Sequence, residues 1–283
     1  MSLVQRDPAL HERLTHLARA GRMIVVVGLP GTGKSLLIHQ LAPLAVTAGR
    51  TVHLLQWDVA RPVFEASAAG RRYPVLDGVT QPMIRAAVGR WARHAIAAWA
   101  ERSAESALLI GEAPFVGRRL IELAQRLDDH AEPLLASPGC VFAIAVPSAG
   151  VRAHIERERE RRASAPNHPR EREDAPPHVL RALWREILGA ARALDIAGAG
   201  TTAGWDPALY RRVYEALLRH RHAEAVTLDV VLPTAAMSVY DFAVPCVDLV
   251  PGETEAGAFV REAEARHPDA AALGREVERW WVV

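Results

Sequence analysis

Residues 23–35 have the sequence MIVVVGLPGTGKS, in which a short β-branched run passes directly into a glycine-rich stretch that ends in lysine and serine. The apolar run at 23–27 is typical of a buried strand. The stretch at 28–35 matches the pattern G-x-x-x-x-G-K-[ST] in full, and the residues that follow it predict a helix. A strand, a glycine-rich loop and a helix therefore follow one another in the order that this pattern requires.

The chemistry of this stretch is that of an anion site. Because glycine lacks Cβ and adopts positive φ, its backbone can wrap closely round a phosphate and present successive N–H groups to it. The helix that follows adds the unpaired N–H groups of its first turn. Lys34, the only lysine in the chain, would contact the β- and γ-phosphates, and the Ser35 hydroxyl would ligate Mg²⁺. The residues expected to surround the phosphates are Gly28, Pro30, Gly31, Thr32, Gly33, Lys34 and Ser35. The alternative is a glycine-rich turn that carries a lysine by chance.

The composition of the whole chain is that of a globular protein of one or two domains, since 50% of its 283 residues are hydrophobic. The formal net charge of +1 gives no general reason to expect binding to nucleic acid or to an anionic membrane. Cys140 and Cys246 are far apart and form no metal or redox motif, which suits a reducing cytoplasm. The first residues lack the layout of a signal peptide, and no apolar stretch is long enough for a membrane span. We therefore expect a cytoplasmic protein with no membrane partner.

Short apolar runs alternate with longer amphipathic stretches, which predicts an α/β fold with a parallel sheet of about five strands and helices on both faces. The predicted strands are 23–27, 51–57, 107–110, 141–146 and 226–232. The predicted helices are 8–20, 36–48, 82–103, 116–130, 151–162, 179–194 and 207–218. Asp7 and Asp206 each precede a proline at a helix start and are expected to cap those helices. We expect a single domain over 1–283, with 147–178 as a candidate lid and 233–283 as a C-terminal extension.

Polar side chains follow the second and third predicted strands. Ligands of parallel sheets bind beyond the carboxyl ends of the strands, so these side chains are candidates for a site. Asp58 follows strand two, Arg61 lies three residues later, and Glu112 follows strand three. Each has a structural alternative: Asp58 could cap a helix, Arg61 could be a surface charge, and Glu112 could be a solvated loop carboxylate.

An arginine-rich segment follows the fourth predicted strand, with the sequence VRAHIERERERRASAPNHPREREDAPPHVLRALW at 151–184. Phosphoryl transfer requires guanidinium groups to stabilise charge on the moving group. At least two of the following arginines are expected to face nucleotide phosphates: Arg152, Arg157, Arg161, Arg170 and Arg172. A solvated charged helix is the alternative, since Glu158 and Arg162 can pair at a spacing of four residues.

Taken together, these features resemble the small-molecule and nucleotide kinase branch of the P-loop proteins, which includes adenylate, shikimate, gluconate and zeta-toxin-like kinases. The resemblance spans about residues 20–232. The sequence WDVARP at 57–62 is similar to the D-x-x-R element of shikimate-type kinases, and AVPSAGVRAHIERER at 145–159 is similar to the segment that enters the lid. The resemblance implies a P-loop NTPase three-layer sandwich, ATP as phosphate donor and Mg²⁺ as metal.

What the resemblance implies for function is a phosphotransferase that uses ATP and Mg²⁺ and acts on a hydroxyl of a small molecule or nucleotide. Asp58 would accept the proton or orient the hydroxyl, Arg61 would bind the acceptor, and Arg152 would bind the nucleotide. Arginines of the lid would neutralise charge on the transferring group. The expected catalytic residues are Lys34, Asp58, Glu112, Arg157 and Arg161.

Two other functions stay open at this point: a regulatory ATPase or switch that acts through a protein partner, and a toxin-like kinase. GTPases that read guanine with an N-K-x-D motif are excluded, because the single lysine already lies in the glycine-rich stretch. The LSGGQ-like signature of transporter ATPases is absent. Strand three ends in one acid, Glu112, instead of the pair of acids typical of motor ATPases.

Overall fold

The computed structural model of the chain describes residues 7–76, 78–166, 168, 171, 175–198, 204–231 and 245–283. Within these ranges it is an α/β fold built on a six-stranded sheet in which every neighbouring pair of strands is parallel. The strands are β1 Met23–Val27, β2 Val52–Gln56, β3 Leu108–Ala113, β4 Cys140–Pro147, β5 His222–Leu228 and β6 Val247–Asp248. Their order across the sheet is β5-β4-β1-β3-β2-β6.

Helices cover both faces of this sheet. They are α1 Pro8–Ala20, α2 Lys34–Thr47, α3 Trp57–Ala66, α4 Pro82–Arg102, α5 Glu132–Leu135, α6 Ala149–Ser164, α7 Pro177–Ala193, α8 Pro207–Leu217, α9 Glu253–Arg266 and α10 Ala270–Glu278. The predicted caps are confirmed, because Asp7 accepts a hydrogen bond from Leu10 N and Asp206 accepts from Leu209 N. None of the helices in the described ranges combines the length and the apolar character needed to cross a bilayer.

The core consists of two apolar layers, one on each side of the sheet. Alternate residues of the fully buried strand β1 belong to opposite layers: Val25 belongs to the layer that contains residues of α3, α4 and α8, whereas Val26 belongs to the layer of α1 and α2. A parallel strand that is buried on both faces needs a continuous apolar run, which is what the sequence supplies at 23–27. This arrangement is compatible with a three-layer sandwich of the P-loop or Rossmann type.

The parallel pairing brings the candidate side chains to one edge of the sheet. Glu112, near the end of β3, lies in register with Val26 on β1 and with Gln56 on β2. The loop that follows β1, the start of α3 after β2, and the end of β3 therefore meet at the same edge.

The helix predicted over 116–130 is wrong. This stretch is a loop with a single short 3₁₀ turn at Ile121–Leu123, and α5 begins only at Glu132. Phe115, Arg118 and Leu120 have φ values of 62°, 63° and 62°, which is left-handed backbone that an α-helix does not contain. Long-range contacts hold this backbone: the buried guanidinium of Arg93 donates to the carbonyls of Glu122 and Gln125.

The C-terminal residues extend the sheet, which has six strands where the sequence predicted about five. Val247–Asp248 pairs with β2 as the edge strand, and α9 packs on α3 and α4. The fifth strand is also displaced: β5 covers His222–Leu228 instead of 226–232. The part of the predicted extension at 233–244 lies outside the described residues.

Candidate functional site

A cleft of about 550 Å³ opens at the carboxyl edge of the sheet. Its lining includes the loop 28–35, called the glycine loop below, the start of α3, the end of β3 with the loop that follows it, and one face of α6. Residues from 78–80, from 171–183 and from 228–231 complete the lining. The residues of these parts that line the cleft include Pro30, Gly31, Gly33, Lys34, Ser35, Leu36, Trp57, Asp58, Arg61, Thr80, Glu112, Pro114, Arg119, Val151, His154, Ile155, Glu158, Arg159 and Arg162. Gly28 and Thr32 do not line the cleft, and Thr32 is fully buried.

Two glycines of the glycine loop are favoured by their backbone conformation. Gly28 has φ of 149°, and a Cβ there would lie 2.5 Å from the Tyr210 hydroxyl oxygen. Gly33 has φ of 89°, and a Cβ there would lie 2.7 Å from Leu228 Cδ1. The positive φ disfavours a larger residue at both positions, and at Gly28 the contact with the Tyr210 hydroxyl does so as well.

The N–H groups of the glycine loop divide into two sets. The Gly28 N–H donates to Ala113 O at 3.3 Å, and the Leu29 N–H donates to the Tyr210 hydroxyl at 3.1 Å, so the fold satisfies these two. From Gly31 to Leu36, no described residue accepts a hydrogen bond from the backbone N–H groups. α2 begins here, and its N-cap Gly33 has no side chain to cap it. Consecutive unpaired donors at a helix start, on the wall of a cleft, form a binding place for an anion.

Lys34 lies within this set of donors and is only 5% exposed. Its Nζ donates to Leu29 O at 3.0 Å and lies 3.3 Å from Glu112 Oε1. Burial lowers the Lys34 pKa, because the interior penalises the charged form; the negative charges of Glu112 and Asp58 partly oppose this effect. A second negative ligand, such as a phosphate, would stabilise the ammonium group further.

The residues beside Lys34 fit Mg²⁺ that is bound together with a phosphate. The Ser35 hydroxyl lines the cleft and forms no hydrogen bond with the described residues, and the Asp58 and Glu112 carboxylates line the same space. Among the described residues, no three His, Cys, Asp or Glu side chains are grouped as a metal cage. Mg²⁺ typically binds through one or two protein oxygens, water and substrate phosphates, which is the kind of oxygen set found here.

Arg152 contacts the glycine loop instead of lining the cleft. Its NH1 group donates to Pro30 O at 3.0 Å and to Gly31 O at 2.9 Å, and Nε donates to Glu156 at 2.9 Å. The guanidinium group also lies 4.9 Å above the ring of Trp205. Arg152 therefore fixes the carbonyl groups of the loop whose N–H groups are unpaired.

The arginines of α6 lie on two different faces of the helix. Arg157 and Arg161, which the sequence analysis singled out, are exposed and do not line the cleft; Arg161 pairs with Glu158 at 2.8 Å. The arginines that line the cleft are Arg159 and Arg162. The sequence contained a signal for the face that lines the cleft. Val151 and Ile155 are large apolar residues four positions apart, and residues 158, 159 and 162 continue the same helical face at spacings of three and four.

The segment 147–178 lines one wall of the cleft as far as it is described. Arg159 donates to Ala175 O at 2.7 Å, and Arg162 forms an ion pair with Glu171, which is 4% exposed. These contacts join α6 to the chain that leads into α7. Arg170 and Arg172, two of the candidates in the sequence, lie outside the described residues.

The part of the cleft beside α3 contains Asp58 and Arg61 together with an arginine that the sequence analysis missed. Arg61 NH1 pairs with Glu65 at 2.9 Å, and Thr80 Oγ1 donates to Glu65 at 3.1 Å. Arg119 lines the same space. Arg119 follows β3, the kind of place where ligands bind in parallel sheets, but the prediction of a helix over 116–130 hid it.

Two buried tyrosines of α8 connect the two sides of the cleft. The Tyr210 hydroxyl accepts from the Leu29 N–H, and the Tyr214 hydroxyl donates to Pro114 O at 2.8 Å. The centroids of their rings lie 4.8 Å apart. Burial raises the pKa of both phenols, so both stay protonated.

Comparison of the chain with protein-family models, with curated proteins and with solved structures found no match.

Proposed function

We propose that this chain is a phosphotransferase of the P-loop kinase type, which uses ATP and Mg²⁺ to phosphorylate a hydroxyl of a small molecule or nucleotide. The observation that carries the proposal is the run of unpaired N–H groups from Gly31 to Leu36 around the buried ammonium of Lys34. A polyphosphate would satisfy both at once. The all-parallel sheet supports a P-loop NTPase three-layer sandwich as the fold.

The donor half of the reaction uses the glycine loop. Its N–H groups bind the β- and γ-phosphates, and Lys34 contributes a charge-assisted contact to them. Ser35, with Glu112 or Asp58 acting through water, would hold Mg²⁺, which would neutralise negative charge on the phosphates. Arg152 keeps the loop in shape through the carbonyls of Pro30 and Gly31.

The acceptor half of the reaction uses the start of α3. Asp58 lines the cleft, and its negative charge acts on Lys34, which supports a place for it near the transferred phosphate. As a general base it accepts the proton of the acceptor hydroxyl, or it orients that hydroxyl for attack. Arg61 lies one helical turn further along the same helix and contacts the acceptor.

The segment 147–178 acts as a lid in this proposal. Arg159 and Arg162 line the cleft and carry the positive charge that phosphoryl transfer requires. Arg157 and Arg161 lie on the exposed face, so they act through the overall charge of the helix and not by contact. Closure over the phosphates excludes water, which favours transfer to an acceptor over hydrolysis.

The lining of the cleft extends beyond the glycine loop, which supports a place for an acceptor. About 550 Å³ is within the range of small-molecule sites, and the cleft continues past the glycine loop to Asp58, Arg61 and Arg119.

The test is an acceptor screen with purified protein, Mg²⁺ and ATP labelled at the γ-phosphate, against nucleosides, nucleotides, sugars and hydroxy acids. We expect label to move to an acceptor in one class, and to stop moving in Lys34→Ala. Arg102→Ala serves as the control, because Arg102 is an exposed cation at the far end of α4. ATP consumption that no acceptor accelerates would contradict the proposal and would favour a regulatory ATPase or switch.

A further inference from the structure

One part of the cleft is lined by Asp58, Arg61, Thr80, Pro114 and Arg119 and is called the acceptor lobe below. It lies at the ends of β2 and β3, whereas the unpaired N–H groups of the glycine loop lie at the end of β1. The glycine loop therefore offers backbone N–H groups and Lys34 to a ligand, whereas the acceptor lobe offers the cationic side chains of arginines.

The guanidinium group of Arg119 is the cation of this lobe that lacks a partner. No described residue accepts a hydrogen bond from it or forms an ion pair with it. Burial lowers the Arg119 pKa, with Asp58 as the nearby negative charge and Arg61 as a nearby positive one. A partly buried guanidinium without an acceptor is costly, and an anionic ligand would remove that cost.

The other two arginines at this lobe already have partners. Arg61 is held by Glu65, which also accepts from Thr80 Oγ1. Arg85 donates to Thr80 O at 2.8 Å and to Gly117 O at 2.6 Å. Arg61 and Arg85 thus have acceptors for their N–H groups among the described residues, whereas the Arg119 guanidinium has none.

The loop that carries Arg119 is held in one shape. Phe115 and Arg119 exchange backbone hydrogen bonds of 2.9 and 3.2 Å, and Tyr214 and Arg85 bind the carbonyls of Pro114 and Gly117. Left-handed φ at Phe115, Arg118 and Leu120 persists only because these contacts fix it. A side chain on a loop held in this way is pre-organised to bind a ligand.

Resting on the proposed function, we propose that the acceptor carries an anionic group, a phosphate or a carboxylate, and that Arg119 binds this group in the acceptor lobe. The bound anion anchors the acceptor at one end and leaves its hydroxyl beside Asp58. Arg85 acts as a positioning residue, because it holds the backbone of the loop and does not line the cleft.

The test is a calorimetric titration in the presence of saturating Mg²⁺ and a non-hydrolysable ATP analogue, so that the glycine loop is already filled. The probes form matched sets of one hydroxyl compound with and without charge: glycerol, glycerol 3-phosphate and glycerate in the first, adenosine and AMP in the second. Glycerol 3-phosphate and glycerate distinguish a phosphate site from a carboxylate site. We expect the charged member of at least one set to bind roughly tenfold or more tightly than the neutral one.

Substitutions assign the effect to the residue. Arg119→Gln should abolish the preference for the charged probe, Arg119→Lys should retain part of it, and Arg102→Gln should leave it unchanged. Because the Arg119 side chain forms no hydrogen bond with the described residues, the Gln variant is expected to keep the parent melting temperature.

The outcomes separate this inference from the proposed function. If the ATP analogue binds but charged and neutral probes bind equally, or if Arg119→Gln keeps the preference, the anion site is wrong and the kinase proposal stands. If the analogue does not bind but Arg119→Gln removes a preference for the charged probe, the anion site stands and the kinase proposal is wrong.

Discussion

The hydroxyl of Tyr210 lies behind the glycine loop, where it accepts a hydrogen bond of 3.1 Å from the Leu29 N–H. Gly28 makes this contact possible, since a Cβ at that position would lie 2.5 Å from the same oxygen. One set of loop donors is thereby tied to the core, and the other set is left for a ligand.

Removal of the Tyr210 hydroxyl should therefore destabilise the protein. Tyr210→Phe leaves the Leu29 N–H buried without an acceptor, which costs about 1–3 kcal/mol. Urea unfolding measures the loss. Tyr73→Phe is the matched control, because it removes a hydroxyl that bonds to Glu264 at a partly exposed site. Equal losses of unfolding free energy in the two variants would show that the buried Leu29 N–H group does not depend on the Tyr210 hydroxyl for its stability.

Asp58 should matter for turnover and not for nucleotide binding. Asp58→Asn keeps the size of the side chain but removes its basicity, so we expect near-normal affinity for Mg-ATP and a loss of transfer of roughly 10²-fold or more. Rates are measured with the acceptor that the screen identifies. Asp128→Asn, on an exposed loop, is the control. A transfer rate equal to that of the parent would remove Asp58 from the mechanism.

The backbone of α6 should be better protected from hydrogen exchange when the nucleotide binds. Its inner face carries Arg159 and Arg162 toward the cleft, and its few apolar anchors predict low local stability. A non-hydrolysable ATP analogue with Mg²⁺ should increase the hydrogen-exchange protection of Ala149–Ser164 more than that of α8. Unchanged protection in α6, together with new protection in the glycine loop, would show that α6 is a solvated helix and no lid.

Glu132 should make stability depend on pH in the acid range. Burial alone would raise the Glu132 pKa, but hydrogen bonds from Arg221 and Arg93 outweigh this and lower it to about 2. The carboxylate therefore stabilises the fold fully above its unfolded pKa of about 4.3, and this stabilisation is lost as the pH falls toward 2.

Glu132→Gln should lower the free energy of unfolding at pH 7 by roughly 3 kcal/mol, and the difference from the parent should shrink between pH 5 and pH 2. Denaturant titrations at several pH values measure both effects. Glu215→Gln removes one partner of an exposed ion pair with Arg211 and should cost at most about 1 kcal/mol at any pH. A Glu132→Gln difference that is constant with pH would contradict the assignment.

The sequence predicted those parts of the fold that depend on local signals. The apolar run of β1, the proline-preceded caps Asp7 and Asp206, and the glycine loop each contain their own information within a few residues. The edge position of Asp58 and Glu112 followed from strand order, because parallel strands end on one side.

The remaining parts depend on contacts between distant residues. The apolar residues of the 116–130 stretch have the spacing of a helix, but Arg93 and Arg85 bind its carbonyl groups and hold it as a loop with left-handed residues. Because the stretch was predicted as a helix, Arg119 was not predicted as a site residue. β6 is two residues long, which is too short to show a strand pattern in the sequence, and it is defined by its pairing with β2. The face of α6 that lines the cleft was predictable from Val151 and Ile155, but the arginine-rich pattern led to the choice of Arg157 and Arg161 on the exposed face.

The most direct test of the account is the affinity of the chain for Mg-ATP, measured by calorimetry in the parent and in Lys34→Ala. Lys34 is the ammonium beside the unpaired N–H groups, and a charge-assisted contact contributes about 1.5–3 kcal/mol. The account predicts that the parent binds Mg-ATP and that Lys34→Ala binds it roughly tenfold or more weakly, while Arg102→Ala binds as the parent does. A parent that does not bind Mg-ATP, or a Lys34→Ala variant with unchanged affinity, would contradict the phosphate site on which the account rests.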